Sequence, residues 1–199
     1  MLKRLFDIGF SLGWLIVFSP LLLIVGVLVK LKLGSPVLFI QERPGYLGRP
    51  FRMVKFRTMT DARGPDGVLL PDQVRLTAFG KFLRASTLDE FPEMWNVLTG
   101  DMSVVGPRPL LMAYLGRYNA FQTRRMEVKP GVTGWAQVNG RNSLTWDEKF
   151  ALDVWYVDHR TFWLDMKIVV RTFFKVFARS GINSGEGKTM EEFRGAEKQ

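Results

Sequence analysis

The chain has 199 residues, 47% of them apolar and 24% charged, which is enough for one domain with a real core and too apolar for wholesale disorder. It has no cysteine and a single histidine, His159, so a disulfide scaffold, a thiol nucleophile and a multi-histidine metal site are all excluded. Twenty-eight Lys and Arg against 19 Asp and Glu leave a net charge of +9, which calls for an anionic partner: nucleic acid, anionic lipid or a phosphorylated substrate.

From Leu5 to Val29 the only ionisable residue is Asp7. The run is too long for a signal-peptide core, and Lys30-Leu31-Lys32 follows it rather than a small-residue cleavage site. A helix apolar all round also suits a membrane better than the small core available here. Ser19-Pro20 lies near its middle, where Pro20 cannot donate to the carbonyl of Ile16 and Ser19 can back-bond to that of Leu15. Each half then gives roughly 18 to 22 Å of helix, short of a hydrocarbon core about 30 Å thick. Basic residues flank both ends, Lys3-Arg4 and Lys30 with Lys32. The positive-inside bias therefore favours a helix that enters, turns at Ser19-Pro20 and leaves on the same face. The alternative is a kinked span with one basic flank translocated.

Gly34-Ser35-Pro36 ends that segment. Val37 to Ile40 and Phe51 to Phe56 read as short strands around the turn Arg43 to Gly48. Asp61 to Asp72 reads as a polar loop, Leu76 to Ala85 and Pro92 to Leu98 as short helices, and Gly106-Pro107-Arg108-Pro109 as a rigid turn. Leu110 to Lys129 is predicted helical. Glycine-rich loops are expected at Lys129 to Gly134 and at Gln137 to Asn142, then a helix over Trp146 to Val157. In Phe162 to Arg179, Lys167, Arg171, Lys175 and Arg179 recur every four residues. Trp163, Val170, Phe173, Phe174 and Phe177 make an apolar face, the pattern of a helix lying in a membrane interface. A surface helix packed on the core with a solvated basic side has the same composition.

Asp89-Glu90 is the most suggestive pair. Thr87-x-x-Glu90 matches a capping box, whereas a helix starting nearer Glu90 suits Pro92 better. On either reading both carboxylates stand at a helix start, where the dipole keeps them ionised and attracts anions. Simple capping accounts for them; so does a nucleophile or Mg²⁺ ligand beside a phosphate. Cations distant in sequence could serve such a phosphate. Lys55 and Arg57 alternate on one strand, Arg108 is fixed between two prolines, Arg141 follows Asn139-Gly140, and Arg84 precedes the acidic pair. Each taken alone reads first as a solvated charge or an ion pair. Asp101 and Asp165 are further acidic candidates, and His159 has no visible partner. There is no P-loop, dinucleotide fingerprint or nucleophile elbow. The aromatics sit in apolar helices rather than among basic residues, which speaks against nucleic acid.

Taken in order, Ser19-Pro20, Lys55-Phe56-Arg57-Thr58-Met59, Leu88-Asp89-Glu90-Phe91-Pro92, Asn96 to Ser103, Gly106-Pro107-Arg108-Pro109, Pro130 to Gly134 and Gln137 to Asn142 resemble the bacterial sugar transferase family, the monotopic phosphoglycosyl transferases. The resemblance covers nearly the whole chain, and the short length looks like the minimal members that start glycoconjugate pathways, such as the enzyme initiating bacterial N-linked glycosylation. It implies an α+β, mainly helical fold: a re-entrant membrane helix over residues 1–34, a cytoplasmic catalytic domain with a β-hairpin and interfacial helices over 35–180, and a polar tail over 181–199. It implies Asp89 as nucleophile, Glu90 helping to hold Mg²⁺, and phosphate contacts from Lys55 and Arg108, with Asp165 in a Leu-Asp-x-Lys context seen in relatives. Arg57, Arg84 and Arg141 would share the phosphate charge. The implied reaction transfers a phosphosugar from a UDP-sugar to undecaprenyl phosphate and releases UMP, in membrane lipid at the cytoplasmic face of the inner membrane, without nucleic acid. A non-catalytic, membrane-anchored basic adaptor and a diphosphate hydrolase are the alternatives.

Overall fold

The computed structural model describes residues 1–140, 143–177 and 192–195, without the side chains of 176 and 177. Arg141, Arg179, the Phe177 side chain and all of the polar tail except 192–195 lie outside the described residues. Helix α1 (Leu2–Val17) and helix α2 (Ser19–Leu33) meet at Phe18 and are bent by 62°. Pro20 stands in the first turn of α2, where its missing N–H costs nothing. The chain therefore breaks into two helices instead of kinking within one. The Ser19 hydroxyl donates to Ile16 (2.8 Å), one residue later than the expected Leu15, because the last turn of α1 ends at Val17. No single helix among the described residues is long and apolar enough to cross a membrane.

Polar pins dock the first two turns of α1 onto the rest of the chain. Lys3 pairs with Asp165 (2.6 Å) and also donates to the Val105 carbonyl. Arg4 donates to the carbonyls of Val97 and Leu98, and Asp7 Oδ1 accepts from Ser103 Oγ (3.0 Å) and Val104 N–H (2.9 Å). Beyond these pins, Leu12, Ile16, Val17, Leu23, Ile24, Val27 and Leu31 are exposed around the bend.

Strands β1 (Leu38–Pro44) and β2 (Pro50–Phe56) form the expected antiparallel hairpin, with Phe39 opposite Lys55. After the polar loop come helix α3 (Asp72–Arg75) and helix α4 (Ala78–Ala85), the latter capped by Thr77. Gly80 lets α4 press on the Thr58 carbonyl, which a side chain there would overlap. Helix α5 (Glu93–Thr99) follows a 3-10 turn at Leu88–Glu90. Strand β3 (Ser103–Val105) then pairs in parallel with β4 (Gly131–Thr133). This second sheet was not expected, since three-residue strands show no alternation; β4 occupies what reads as a glycine-rich loop.

The predicted helix over Leu110 to Lys129 is absent. A 3-10 segment at Met112–Arg117, helix α6 (Ala120–Thr123) and a 3-10 turn at Arg124–Met126 replace it. Tyr118 and Asn119 are extended, and Asn119 opens a fresh capping box with Gln122, so the side chain competes with helix continuation. Helix α7 (Trp135–Asn139) takes the first half of the second expected loop. Helices α8 (Trp146–His159) and α9 (Phe162–Phe177) fall where periodicity puts them. His159 does have a partner, stacking on Trp155 at 4.4 Å. On α9, Trp163, Val170, Phe173 and Phe174 are exposed, while Lys167 and Arg171 lie over the Trp135 ring. The main core joins Met53 of β2, Val97 of α5, Val104 of β3 and Ile168 of α9, with Phe6, Phe10 and Trp14 of α1 packed against it.

Candidate active site

The acidic pair owes its place to a local backbone device. Thr87 is left-handed (φ 58°), and its hydroxyl turns back to the Ser86 carbonyl, so the capping box does not form. Pro92 serves as the N-cap of α5, leaving Asp89 and Glu90 on the 3-10 turn ahead of that helix rather than within its first turn. Asn96 ties α5 to the hairpin, accepting from Val54 N–H (3.0 Å) and donating to the Arg52 carbonyl (2.8 Å). That clamp brings Lys55 of β2 beside the pair.

The Lys55 ammonium stands 3.0 Å from Glu90 Oε1 and 2.9 Å from Glu93 Oε1. Arg108 Nη1 donates to Glu90 Oε2 at 3.2 Å, and Nη2 donates to Oε1. Burial pushes the Glu90 carboxyl up, but the charges and hydrogen bonds of Arg108 and Lys55 together outweigh it and hold the group well below the usual carboxylate range. Asp89 is the opposite case. It is 8% exposed and makes no hydrogen bond or ion pair among the described residues. Burial first, and the negative charge of Glu90 second, push its carboxyl up to about 6, against the pull of Lys55, Arg108 and Arg84. Glu93, buried at the start of α5, is pushed up to about 7 by burial and by Glu90.

Two cavities meet at Glu90. A polar one of about 470 Å³ is lined by Asp89, Glu90, Lys55, Arg57, Arg84 and Arg43. An apolar one of about 350 Å³ runs from Phe10, Trp14 and Phe18 of the bent pair to Glu90 and Arg108. The chain thus brings together Lys55, Arg57, Arg84, Arg108, Asp89 and Glu90. Two of these cations are partly committed. The Arg57 guanidinium holds the Ser35 and Met59 carbonyls (2.6 and 2.7 Å) and Asp61, while Arg84 Nε donates to Thr58 Oγ1 (3.0 Å). Asp165 is not brought to this place. It is 2% exposed and is occupied by Lys3 and by the Tyr156 hydroxyl (2.6 Å), which makes it the anchor of α1. Asp101 instead accepts from Thr99 at the end of α5 (3.1 Å).

Several residues at the site were not singled out in the sequence. Arg43 donates to Gln41 (2.6 Å) and has its pKa lowered by burial and by the nearby charge of Arg108. It was hidden in a turn-like Arg-Pro-Gly. Glu93 read as an ordinary acid in a first helical turn. Gln137, on the wall of the apolar cavity, has both amide atoms buried without a hydrogen-bond partner. Leaving such groups unpaired costs about 1–3 kcal/mol each.

An unpaired buried carboxylate thus stands beside cations on a polar cavity, and its neighbour Glu90 joins that cavity to an apolar groove. Residues 1–179 match the bacterial sugar transferase family, and the chain belongs to it. It is 53% identical over 196 residues to an uncharacterized sugar transferase, EpsL, of Bacillus subtilis, covering 98% of this chain and 97% of that one. It is 41% identical over 185 residues to the UDP-glucose:undecaprenyl-phosphate glucose-1-phosphate transferase of Klebsiella pneumoniae, 88% of this chain and 40% of that enzyme. It is 37% identical over 197 residues to the undecaprenyl-phosphate galactose phosphotransferase of Salmonella typhimurium, 90% of this chain and 41% of the relative. The chain therefore spans about two-fifths of the length of these two enzymes.

Proposed function

We propose that this protein transfers a hexose phosphate from a UDP-sugar to a polyprenyl phosphate, through a covalent intermediate on Asp89. The observation that carries the reading is the meeting of the two cavities at Glu90, with the unpaired Asp89 carboxylate on the polar side. The names of the relatives, glucose and galactose phosphate transferases acting with undecaprenyl phosphate, support the substrate classes.

In the first step an Asp89 oxygen attacks the phosphorus bonded to the sugar. The bond from that phosphorus to the bridging oxygen breaks, and UMP leaves with the electron pair. The sugar phosphate stays on Asp89 as an acyl phosphate. In the second step an oxygen of the lipid phosphate attacks the same phosphorus and the Asp89 carboxylate leaves. Both nucleophiles are anions, so neither step needs a general base. Each needs cations where charge accumulates, and Lys55, Arg108, Arg84 and Arg43 surround the place. The apolar groove takes the first isoprene units of the lipid, with its phosphate at Arg108.

Mg²⁺ fits these residues. No cluster of three ligating side chains occurs among the described residues, but Asp89 and Glu90 both line the polar cavity, and Mg²⁺ is commonly held by one or two carboxylates with substrate phosphates and water. Glu90 Oε1 accepts from both Lys55 and Arg108, while Oε2 accepts from Arg108 Nη1 alone and keeps a second lone pair. Bound there, the ion would neutralise diphosphate charge.

We further propose that α1 and α2 form a re-entrant anchor at the cytoplasmic face of the inner membrane. The 62° bend, the exposed apolar residues around it and the basic flanks support this, and α9 adds exposed aromatics. The test is a panel of UDP-sugars with and without undecaprenyl phosphate. Wild type releases UMP without acceptor, up to one equivalent, and retains labelled phosphosugar; Asp89→Asn does neither. Labelled Asp89→Asn, or UMP release only when both substrates are present, overturns the covalent route.

A further inference from the structure

Arg108 projects from a turn between Pro107 and Pro109, and the backbone of that turn is itself held. Arg125 Nη2 donates to the Arg108 carbonyl at 2.7 Å. The same guanidinium pairs with Asp153 of α8, Nε at 3.0 Å and Nη2 at 2.7 Å, and both side chains are about 95% buried. Its remaining faces are closed by rings, with the guanidinium carbon 5.9 Å from the Tyr118 centroid and 5.7 Å from that of Phe150. Those two rings also seat Phe193, which is 3% exposed and lies 5.0 Å from Phe150 and 5.9 Å from Tyr118. Tyr114 Oη accepts from the Phe193 N–H (3.3 Å), and Arg117 holds the Phe193 carbonyl and Glu192.

A buried ion pair is a poor device for stability alone, because desolvating two charges offsets most of their attraction. Here its guanidinium spends a donor on one particular carbonyl, that of Arg108. From this geometry we infer that Arg125, oriented by Asp153 and walled in by the Phe193 seat, is a positioning residue for Arg108. The C-terminal residues 192–195 are then part of the active-site support. Arg125 touches neither cavity; it acts by fixing where the Arg108 fork points. A displacement of about 1 Å at such a group can cost on the order of 100-fold in rate.

The inference rests on the proposed reaction for its activity readout, so wild-type UMP release is the control for that reaction. Hydrogen exchange in the 106–111 turn reads the positioning whether or not the chemistry is as proposed. In the double variant Arg125→Met with Asp153→Leu, no unpaired charge is left buried, and the chain is expected to fold. UMP release should fall about 10- to 100-fold, and the turn should exchange faster. In an Arg108→Ala background the same replacement should change UMP release less than about two-fold, because the group it positions is gone. Equal losses in the two backgrounds would show a merely structural pair and overturn the inference. Should the double variant fail to fold, Arg125→Gln with Asp153→Asn decides. The pair is then uncharged, and the shorter glutamine ends near the position of Arg125 Nε, short of the Nη2 that holds the carbonyl, so a slow, folded variant supports the inference and a fully active one overturns it. Phe193→Ala should give a smaller loss of the same kind, again absent with Arg108→Ala; full activity with unchanged exchange removes the C-terminal residues from the assignment.

Discussion

Arg108 faces Glu90 as a fork against a fork, one guanidinium nitrogen on each carboxylate oxygen, while Lys55 takes a further position on Oε1. Two cations on one carboxylate leave its neighbour, Asp89, with none in contact. The pair is thereby divided into a clamped anion and a free one whose carboxyl titrates at about 6. Adjacent carboxylates take different roles when their surroundings separate their proton affinities.

The first half-reaction should lose rate as pH falls through about 6, because only ionised Asp89 attacks. Arg84 opposes the upward shift of Asp89, so Arg84→Ala should move the acid limb to higher pH. The measurement is single-turnover UMP release between pH 4.5 and 8, on the order of tenfold per pH unit below the limb. A limb unmoved by Arg84→Ala would count against Asp89 as the titrating group.

Asp89→Asn should abolish transfer yet stabilise the fold. The folded pKa of Asp89 is raised to about 6 from 3.8, so the folded state binds the proton more tightly than the unfolded one. Stability from this group is complete below the unfolded value and is lost as pH rises through the folded value. At pH 8 the ionised carboxylate costs on the order of 3 kcal/mol, which asparagine removes. Thermal unfolding should show Asp89→Asn above wild type at pH 8 and level with it near pH 4.

Arg108→Lys keeps a charge but cannot engage both oxygens of Glu90 or of a phosphate. UMP release should fall by about 10- to 100-fold, and by more for Arg108→Ala, since losing a donor to developing charge commonly costs about 100- to 1,000-fold. A lysine variant of wild-type rate would remove the two-point contact from the mechanism.

Asp7 is expected to hold α1 to β3 and the rest of the fold. It is 3% exposed, and its Oδ1 accepts from Ser103 Oγ and from Val104 N–H. Asp7→Asn retains an acceptor and should be mild. Asp7→Leu strands the Val104 N–H and loses two charge-assisted bonds, a cost of about 2–4 kcal/mol. Thermal unfolding in detergent separates the two variants.

The chain has no cysteine, which makes labelling clean. Cysteines at Leu2 and Ser35, on either side of the bent pair, should both react with an impermeant reagent from the cytoplasmic side. Protection of just one would replace the re-entrant anchor with a span.

Much of this site was legible in the chain. Asp89-Glu90, Lys55 and Arg108 stood out because carboxylates beside a helix start and cations in rigid settings are local features. Pro20 announced the break between α1 and α2 for the same reason. Gln137 and Arg43 were not legible. A glutamine in a glycine-rich stretch and an arginine in a turn acquire meaning only when a distant wall closes over them. The helix expected from Leu110 failed at Tyr118 and Asn119, where side-chain capping overrode composition. The parallel β3–β4 pair has three-residue strands, too short for any periodicity.

By itself the sequence determined the apolar segment and its break, the hairpin, the two long C-terminal helices and the place of the acidic pair just ahead of a helix. These follow from backbone stereochemistry and hydrophobic spacing within a few turns of chain. Only the tertiary structure decided which carboxylate is clamped and which is free, that Asp165 anchors α1 instead of lining the cavity, and that Arg125 lies behind Arg108. Those outcomes depend on which charges meet out of water, and burial is a property of the packed whole rather than of any segment.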